Sequence, residues 1–246
     1  MMTLGAPYAW LLCVEWSLSQ IPAPAQTFLP GKIMNQSKTG EFKIFEKLSF
    51  DSQDSLKNWE EKIFKGRTDY RVLDSGDTGR FLSAKSAAAS SGLYKKIKYE
   101  ITPELYLSWD WKAMEFPKKN KPKKLADRSQ DDFAARVYLI FPGATFFSSN
   151  VIEYIWDESL PEGTVMSSPF SDRVKLFVIR SGKPLPDHGG WRREERNIFE
   201  DYTALFEVKA DRMLQGIALM SDSDNTQTSS GAYFREIEFK VKKNKP

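Results

Sequence analysis

Nine short segments with the composition and spacing of β-strands constrain the fold of this chain most strongly. They are rich in β-branched and aromatic residues, several alternate apolar with polar residues, and turn-forming residues separate them. The segments are 42–50, 79–85, 92–101, 105–116, 133–141, 150–156, 173–179, 214–220 and 232–241. So many strands in a chain of 246 residues predict an all-β fold, a single antiparallel, jelly-roll-like β-sandwich.

Helical signal is confined to two short segments. Residues 55–64 place three apolar side chains at helical spacing behind Asp54, a candidate N-cap. Residues 195–206 place four apolar side chains along one stripe. The sequence therefore predicts one or two short helices beside the sandwich.

The N-terminal segment is typical of an export signal. Residues 8–18 are mostly apolar, and Ala23-Pro24-Ala25 has the small-x-small pattern of a signal-peptidase site before Gln26. No Lys or Arg precedes the apolar run, and Glu15 interrupts it, so a mis-assigned start or an uncleaved anchor are the alternatives. The run is too short to span a bilayer. We predict a signal peptide over 1–25, a leader over 26–39, one domain over 40–243, and a periplasmic or secreted location.

Composition excludes several classes of function. The formal net charge is only +3, which argues against a nucleic-acid partner. His188 is the only histidine, so a multi-histidine zinc site is ruled out, and cleavage after Ala25 would remove Cys13, the only cysteine, and with it a cysteine–histidine dyad. His188 itself lies in a loop and is expected to be solvated. The lysines of 117–130 are expected to form a solvated loop, or alternatively to contact anionic polymer or lipid headgroups.

The strand predicted over 133–141 carries an arginine on one of its two faces. Phe133, Ala135, Val137, Leu139 and Phe141 form one apolar face, while Arg136 and Tyr138 share the other. A half-buried arginine requires a carboxylate partner, and Asp110 or Asp222 on an adjacent strand would supply it. Asp132 projects to the same face but lies about 13 Å along the strand, too far to pair directly. Such a cluster either stabilises the sheet or holds sugar hydroxyls or an anionic group.

The stretch MSDSDNTQT at 220–228 is the candidate metal or ligand loop. It fails the EF-hand template, because Gln227 occupies the position of the required glycine and Tyr233 that of the bidentate glutamate. Asp222, Asp224 and Asn225 still offer the oxygen atoms that calcium prefers, although such residues also cap turns. We predict no cofactor, with calcium as the alternative, and expect Asp222 to turn toward Arg136.

Four tryptophans are candidate sugar-stacking surfaces, since flat aromatic rings pack against the apolar faces of sugars. They are Trp109, Trp111, Trp156 and Trp191. Most tryptophans of a sandwich lie in its core, so we expect two of the four to be buried. Trp191 or Trp156 is the predicted exposed platform.

Several blocks together resemble a bacterial family. SWDWKAMEFP, DDFAARVYLIF, VIEYIW, WRREERNIFEDY and GIALMSDSDNTQTSSGAYFREIEF follow one another over roughly residues 45–240, as in the family of domain of unknown function 3047. This resemblance implies an exported β-rich domain with no established activity. The layout is also similar to jelly-roll carbohydrate-binding and galactose-binding-like modules, although a shared fold does not confer function.

Together these observations predict a non-catalytic envelope module that binds glycan or another polar ligand on a concave sheet face. The candidate ligand contacts are Trp109, Asp110, Trp111, Asp132, Arg136, Tyr138, Trp156, Trp191, Asp222, Asp224 and Asn225. One alternative is a polysaccharide hydrolase or lyase, which would need two convergent carboxylates from Asp110, Asp132, Glu153, Asp157, Asp222 and Asp224. A structural or protein-interaction domain is the other alternative.

Overall fold

The computed structural model describes residues 27–28, 40–76, 79–120, 128–143, 148–207 and 213–243. Its strands are β1 (Thr27–Phe28), β2 (Phe42–Leu48), β3 (Glu60–Lys65), β4 (Asp69–Asp74), β5 (Arg80–Ala87), β6 (Ser90–Glu100), β7 (Leu105–Glu115), β8 (Ala135–Phe141), β9 (Asn150–Asp157), β10 (Thr164–Ser168), β11 (Ser171–Ser181), β12 (Arg192–Asn197), β13 (Met213–Met220) and β14 (Ser229–Lys242). One α-helix, α1 (Ile198–Phe206), follows β12, and short 3-10 turns lie at Gln53–Asn58, Arg128–Gln130 and Asp187–Gly190.

Two sheets form a β-sandwich, as predicted. The eight-stranded sheet has the order β1-β10-β11-β9-β8-β13-β6-β3. The six-stranded sheet has the order β12-β7-β14-β5-β4, with β2 also pairing to β14. The predicted pairing is antiparallel throughout, but β9 and β11 run parallel. The reason is that β10 returns along the outside of β11, so that β11 lies between β10 and β9.

The main core lies between the two sheets. Alternating residues of β7 and β8 supply much of it, including Trp109 and Trp111 from one sheet and Val137 and Leu139 from the other. A second buried apolar cluster lies on the outer face of the eight-stranded sheet and includes Ile155 and Leu176. The eight-stranded sheet is therefore largely apolar on both faces. The few polar residues on its outer face are candidates for a functional site.

The predicted helix over 55–64 is wrong. Residues 53–58 form a 3-10 turn, and Glu60–Lys65 continue as β3, which pairs with β6 at the edge of the sheet. Three apolar residues at helical spacing do not outweigh the hydrogen bonds that this sheet edge offers. The second predicted helix is present, but it begins at Ile198, because residues 192–197 pair with β7 and the Asn197 side chain caps the helix.

The alternation predicted for 133–141 also needs one correction. The strand begins at Ala135, and the residues before it do not continue its period. Ala134 consequently packs in the main core, whereas Phe133 lies in the outer cluster. Phe133 was predicted on the apolar inner face, and its displacement places its ring beside Arg136.

Candidate functional site

Arg136 is the centre of the candidate site. It projects from β8 on the outer face of the eight-stranded sheet and is only 3% exposed. Its Nε and Nη2 donate to the two carboxylate oxygens of Asp222, at 2.9 and 2.6 Å, and its Nη1 donates to Glu153 Oε2 at 3.0 Å. Nη2 also donates to the Asp131 carbonyl. The predicted pairing of Arg136 with Asp222 is confirmed.

Asp222 reaches Arg136 because of strand register. Met220 is opposite Arg136 in the antiparallel pairing of β13 and β8, and Asp222 follows just beyond the end of β13. Its Oδ1 also accepts the Phe133 backbone N–H at 3.0 Å. Asp222 thus joins the two strand ends instead of capping its own turn.

The turn that follows Asp222 is held by the segment that precedes β8. Asp132 accepts the backbone N–H groups of Asn225, at 3.2 Å, and of Thr226, at 2.6 Å. Asp132 also accepts the Asn225 side-chain amide at 3.2 Å. Turn capping was one prediction for the aspartates of this loop, but the cap comes from Asp132, some ninety residues earlier in the chain.

A second cation with a buried side chain, Lys119, lies against the Phe133 ring. Lys119 Nζ lies 3.9 Å from the centroid of the Phe133 ring, and the Arg136 guanidinium lies 4.5 Å from the same centroid. Lys119 pairs with Asp157 at 2.5 Å, and its side chain is 8% exposed. The prediction of a fully solvated lysine loop is therefore wrong for Lys119, while residues 121–127 lie outside the described part of the chain.

Asp131 is a buried carboxyl group without a hydrogen-bond partner at one of its oxygens. It is 4% exposed, and its Oδ1 accepts no hydrogen bond from any described residue. Its Oδ2 lies 3.9 Å from Arg136 Nη1, beyond hydrogen-bonding distance. Burial raises the pKa of Asp131 to about 7, although Arg136 opposes the shift. Burial likewise raises the pKa of Glu153 to about 7.

These groups line a cavity with a volume of about 160 Å³ on the outer face of the sheet. Carboxyl groups, one guanidinium, and aromatic and small polar side chains line it. The described lining residues are Phe64, Ser90, Asp131, Arg136, Tyr138, Glu153, Ser168, Phe170, Met220, Asp222, Asp224 and Asn225. Five of the predicted contacts (Arg136, Tyr138, Asp222, Asp224 and Asn225) thus lie together, and Asp132 lies beside them as the cap of the turn.

The model of a family described as protein of unknown function (DUF3047) matches residues 57–238. The chain belongs to this family. The match includes every described residue that lines the cavity. A search of curated protein sequences finds no match.

Solved structures that are similar to the chain include sandwiches from carbohydrate-active proteins. The family 11 carbohydrate-binding module of the Lic26A-Cel5E cellulase of Clostridium thermocellum aligns at 12% identity and a TM-score of 0.39, covering 83% of this chain and 99% of that one. A cellulase derived from Cel12A of Rhodothermus marinus aligns at 9% identity and a TM-score of 0.43, covering 89% and 100%. At these values the likeness is one of β-sandwich architecture alone.

None of the four tryptophans forms an exposed platform, so that prediction is wrong. Trp109, Trp111 and Trp156 are enclosed between the sheets, and the ring nitrogens of the last two donate to Glu194 and to the Gly182 carbonyl. Trp191 is buried as well. It packs edge-on against Phe81 and beneath the Arg235 guanidinium, which covers the face that would have met a sugar.

Asp110 does not join the site either. It lies on the outer face of the six-stranded sheet, where it pairs with Arg193 at 3.1 Å and Arg235 at 3.3 Å. Asp110 was a predicted partner of Arg136 on the assumption that their strands are adjacent. Alternation of side chains does not reveal which strands are neighbours. β7 belongs to the sheet opposite β8, so the two side chains project away from each other on opposite sides of the sandwich.

The predicted metal ligands come close together only in part. Asp132, Asp222 and Asp224 each place one oxygen within 4.8 Å of the others. However, the oxygens of Asp222 are occupied by Arg136 and those of Asp132 by backbone N–H groups. A cation at this point would also face the buried guanidinium, so these donors fit an Arg–carboxylate network better than calcium.

Sequence reasoning missed several lining residues, and it named Glu153 only among the carboxylates of the hydrolase alternative, without placing it beside Arg136. Along β9, Glu153 alternates with Val151 and Ile155 in an otherwise apolar face, and it lies opposite Tyr138 in register. A single carboxylate in an apolar face was the signal that could have identified it. Phe64 and Phe170 carried no such signal, because they come from an edge strand and a turn.

Proposed function

We propose that the chain is a binding protein whose cavity, beside Arg136, holds a polar ligand, and that a sugar residue is the best-fitting ligand class. The observation that carries the proposal is the cavity itself, in which hydrogen-bonding groups and aromatic rings lie side by side. This combination is typical of small-molecule sites, in which a few polar groups orient a ligand between apolar walls.

The size of the cavity favours one ring-sized group. Its volume of about 160 Å³ is below the 300–1,000 Å³ of typical sites for drug-sized ligands. An engineered cavity of about 150 Å³ in another protein holds one benzene molecule. Phe64, Phe170 and Tyr138 are partly exposed aromatic side chains that line the cavity and suit the apolar faces of a sugar.

The geometry favours binding over hydrolysis. Glycoside hydrolysis requires two carboxyl groups facing each other across the scissile bond, with room for substrate or water between them. The Arg136 guanidinium bridges Glu153 and Asp222 and fills the space that a substrate would need. Asp132 is committed to the backbone of the turn.

The proposal includes export from the cytoplasm. Its support is the apolar segment over 8–18 followed by Ala23-Pro24-Ala25, which lies outside the described residues. No helix within the described residues is both long and apolar enough to span a membrane. Fractionation of cells that express the full chain, with mass spectrometry of the mature N-terminus, tests this part directly.

The binding test is a saccharide panel measured by thermal shift and then by calorimetry on the full chain. We expect saturable binding of at least one saccharide, and a loss of affinity of tenfold or more in Phe64→Ala. Phe45→Ala is the control, since Phe45 is an exposed phenylalanine on β2 and is not among the described lining residues of the cavity. Absence of binding across the panel, or equal affinities of the two variants, would contradict the proposal. Time-dependent release of reducing ends would replace it with hydrolysis.

A further inference from the structure

The charges around the cavity are unbalanced. Four described lining residues carry carboxyl groups, namely Asp131, Glu153, Asp222 and Asp224, and only Arg136 carries a cation. Lys119 is committed to Asp157 and is not among the described lining residues. The described lining residues therefore include more carboxyl groups than cations, although Lys65 lies close enough to Asp224 to donate to its backbone carbonyl at 3.2 Å.

Arg136 has little capacity left for an anionic ligand. A guanidinium has five N–H groups. Four of them already donate: one from Nε and two from Nη2 to Asp222 and the Asp131 carbonyl, and one from Nη1 to Glu153. A ligand carboxylate or phosphate would have to displace one of these buried partners and would meet the remaining carboxylates at close range.

Acceptor capacity, in contrast, is unused. Asp131 is more than nine-tenths buried, lines the cavity, and has one oxygen that accepts nothing from the described residues. A buried, unpaired acceptor is costly, so its presence beside a cavity indicates a donor that arrives with a ligand. Asp224 is half-buried and offers a second carboxyl group in the same cavity, one oxygen of which accepts the Asn225 side-chain amide at 3.4 Å while the other accepts no hydrogen bond shown for the described residues.

We infer that the preferred ligand of this cavity carries a positively charged amino group on a ring of about the size of one sugar, with the ammonium bound by Asp131 and Asp224. The inference rests on the proposed function and narrows it to a cationic, amino-bearing class. The ammonium supplies up to three donors to the unused oxygens, and the aromatic lining packs against the ring and the cation.

The test compares three sugars that differ only at carbon 6: 6-amino-6-deoxyglucose, glucose and glucuronic acid. Calorimetry on the full chain at pH 8 and low salt should give the affinity order amino sugar, then glucose, then the acid. We expect the amino sugar to bind at least tenfold more tightly than glucose. Equal affinities of the amino sugar and glucose overturn the inference while leaving the proposed function intact, and so does tightest binding of glucuronic acid.

Two variants locate the effect. Asp131→Asn and Asp224→Asn should each remove most of the preference for the amino sugar over glucose, and Asp54→Asn, on an exposed turn, should leave it unchanged. Asp224 is partly exposed, so its variant tests the inference even where Asp131→Asn alters folding.

The inference is overturned if Asp224→Asn still prefers the amino sugar over glucose. It is also overturned if calcium chloride alone raises the melting temperature and abolishes binding of the amino sugar. Failure of all three sugars overturns it too, whereas the wider panel decides the proposed function separately.

Discussion

Two buried arginines in this molecule have contrasting surroundings. Between the sheets, Arg196 donates to both oxygens of Asp201 at 2.9 and 2.5 Å, and the Tyr154 hydroxyl donates to the same carboxylate at 2.6 Å. On the outer face, Arg136 shares its donors between Asp222 and Glu153, with a third carboxyl group, Asp131, left beside them. Arg196 therefore pairs with one carboxylate, whereas three carboxyl groups surround Arg136.

The difference separates a structural ion pair from a site. Both arginines lie in sequence blocks that resemble the family pattern, so the blocks alone do not distinguish them. The Arg196 pair links β12 to helix α1 and stabilises the packing of the helix. The surplus of carboxyl groups around Arg136 is stabilising only with a proton or a cation present, and it borders a cavity where a ligand would provide one.

The largest effect is expected when each arginine is removed. Arg196→Met leaves one buried carboxylate and should lower the unfolding free energy by about 3–5 kcal/mol. Arg136→Met leaves three and should cost more at pH 8, with partial recovery at pH 5, where carboxyl groups take up protons. Urea denaturation at both pH values measures this. Arg71→Met, at an exposed pair, is the control, and equal losses for Arg136→Met and Arg71→Met would refute the comparison.

Replacing one carboxylate in each cluster should destabilise the fold only at the Arg196 cluster. Asp201→Asn leaves Arg196 without its charged partner and should destabilise the fold by about 3 kcal/mol. Asp131→Asn removes a surplus buried charge and should be neutral or stabilising at pH 8. Guanidinium denaturation of the two variants side by side tests this, and destabilisation of similar size in both would show that Asp131 is an ordinary structural partner.

Each cluster also has a neighbouring cap, and the two caps should differ in strength. Asn197 accepts one backbone N–H at the start of helix α1, so Asn197→Ala should cost about 1 kcal/mol. Asp132 accepts two backbone N–H groups of the turn at 223–228 with a charged side chain, so Asp132→Ala should cost about 2–3 kcal/mol. Hydrogen exchange should show faster exchange at the Asn225 and Thr226 amides only in Asp132→Ala. Unchanged protection there would mean that other bonds hold the turn.

The β-sandwich was predictable because each of the nine predicted segments overlaps a strand that contributes to the buried core. Four longer strands were missed, namely β3, β4, β10 and β12. Three of them lie at sheet edges and carry the charged sequences EEKIFK, DYRVLD and RREERN. Edge strands expose much of their surface and tolerate such charges, so they lack the apolar alternation that identifies central strands.

Part of the site was predictable for a similar reason. Alternation placed Arg136 on the face opposite the core, and a buried arginine requires a carboxylate, which led to Asp222. Asp131 could not be assigned, because it precedes the strand in irregular backbone where no period gives its direction. The burial of Trp191 depends on Phe81 and Arg235 from other strands, and sequence spacing does not reveal such contacts.

The last expected effect is spread over several pH units and is a change in the pH dependence of stability. The pKa of Asp131 is raised to about 7 in the folded chain, above the value of about 3.9 of an unfolded aspartate. The folded state therefore holds a proton that the unfolded chain has released, so the stability from this group is full below about pH 4 and is lost as the pH rises through about 7. The unfolding free energy of the wild type, minus that of Asp131→Asn, should fall by at most about 1.4 kcal/mol per pH unit over this range and then level off. The subtraction removes the contribution of the Arg196 cluster, which is the same in both proteins. If the unfolding free energies of the wild type and Asp131→Asn change with pH in parallel, another group neutralises the surplus charge beside Arg136.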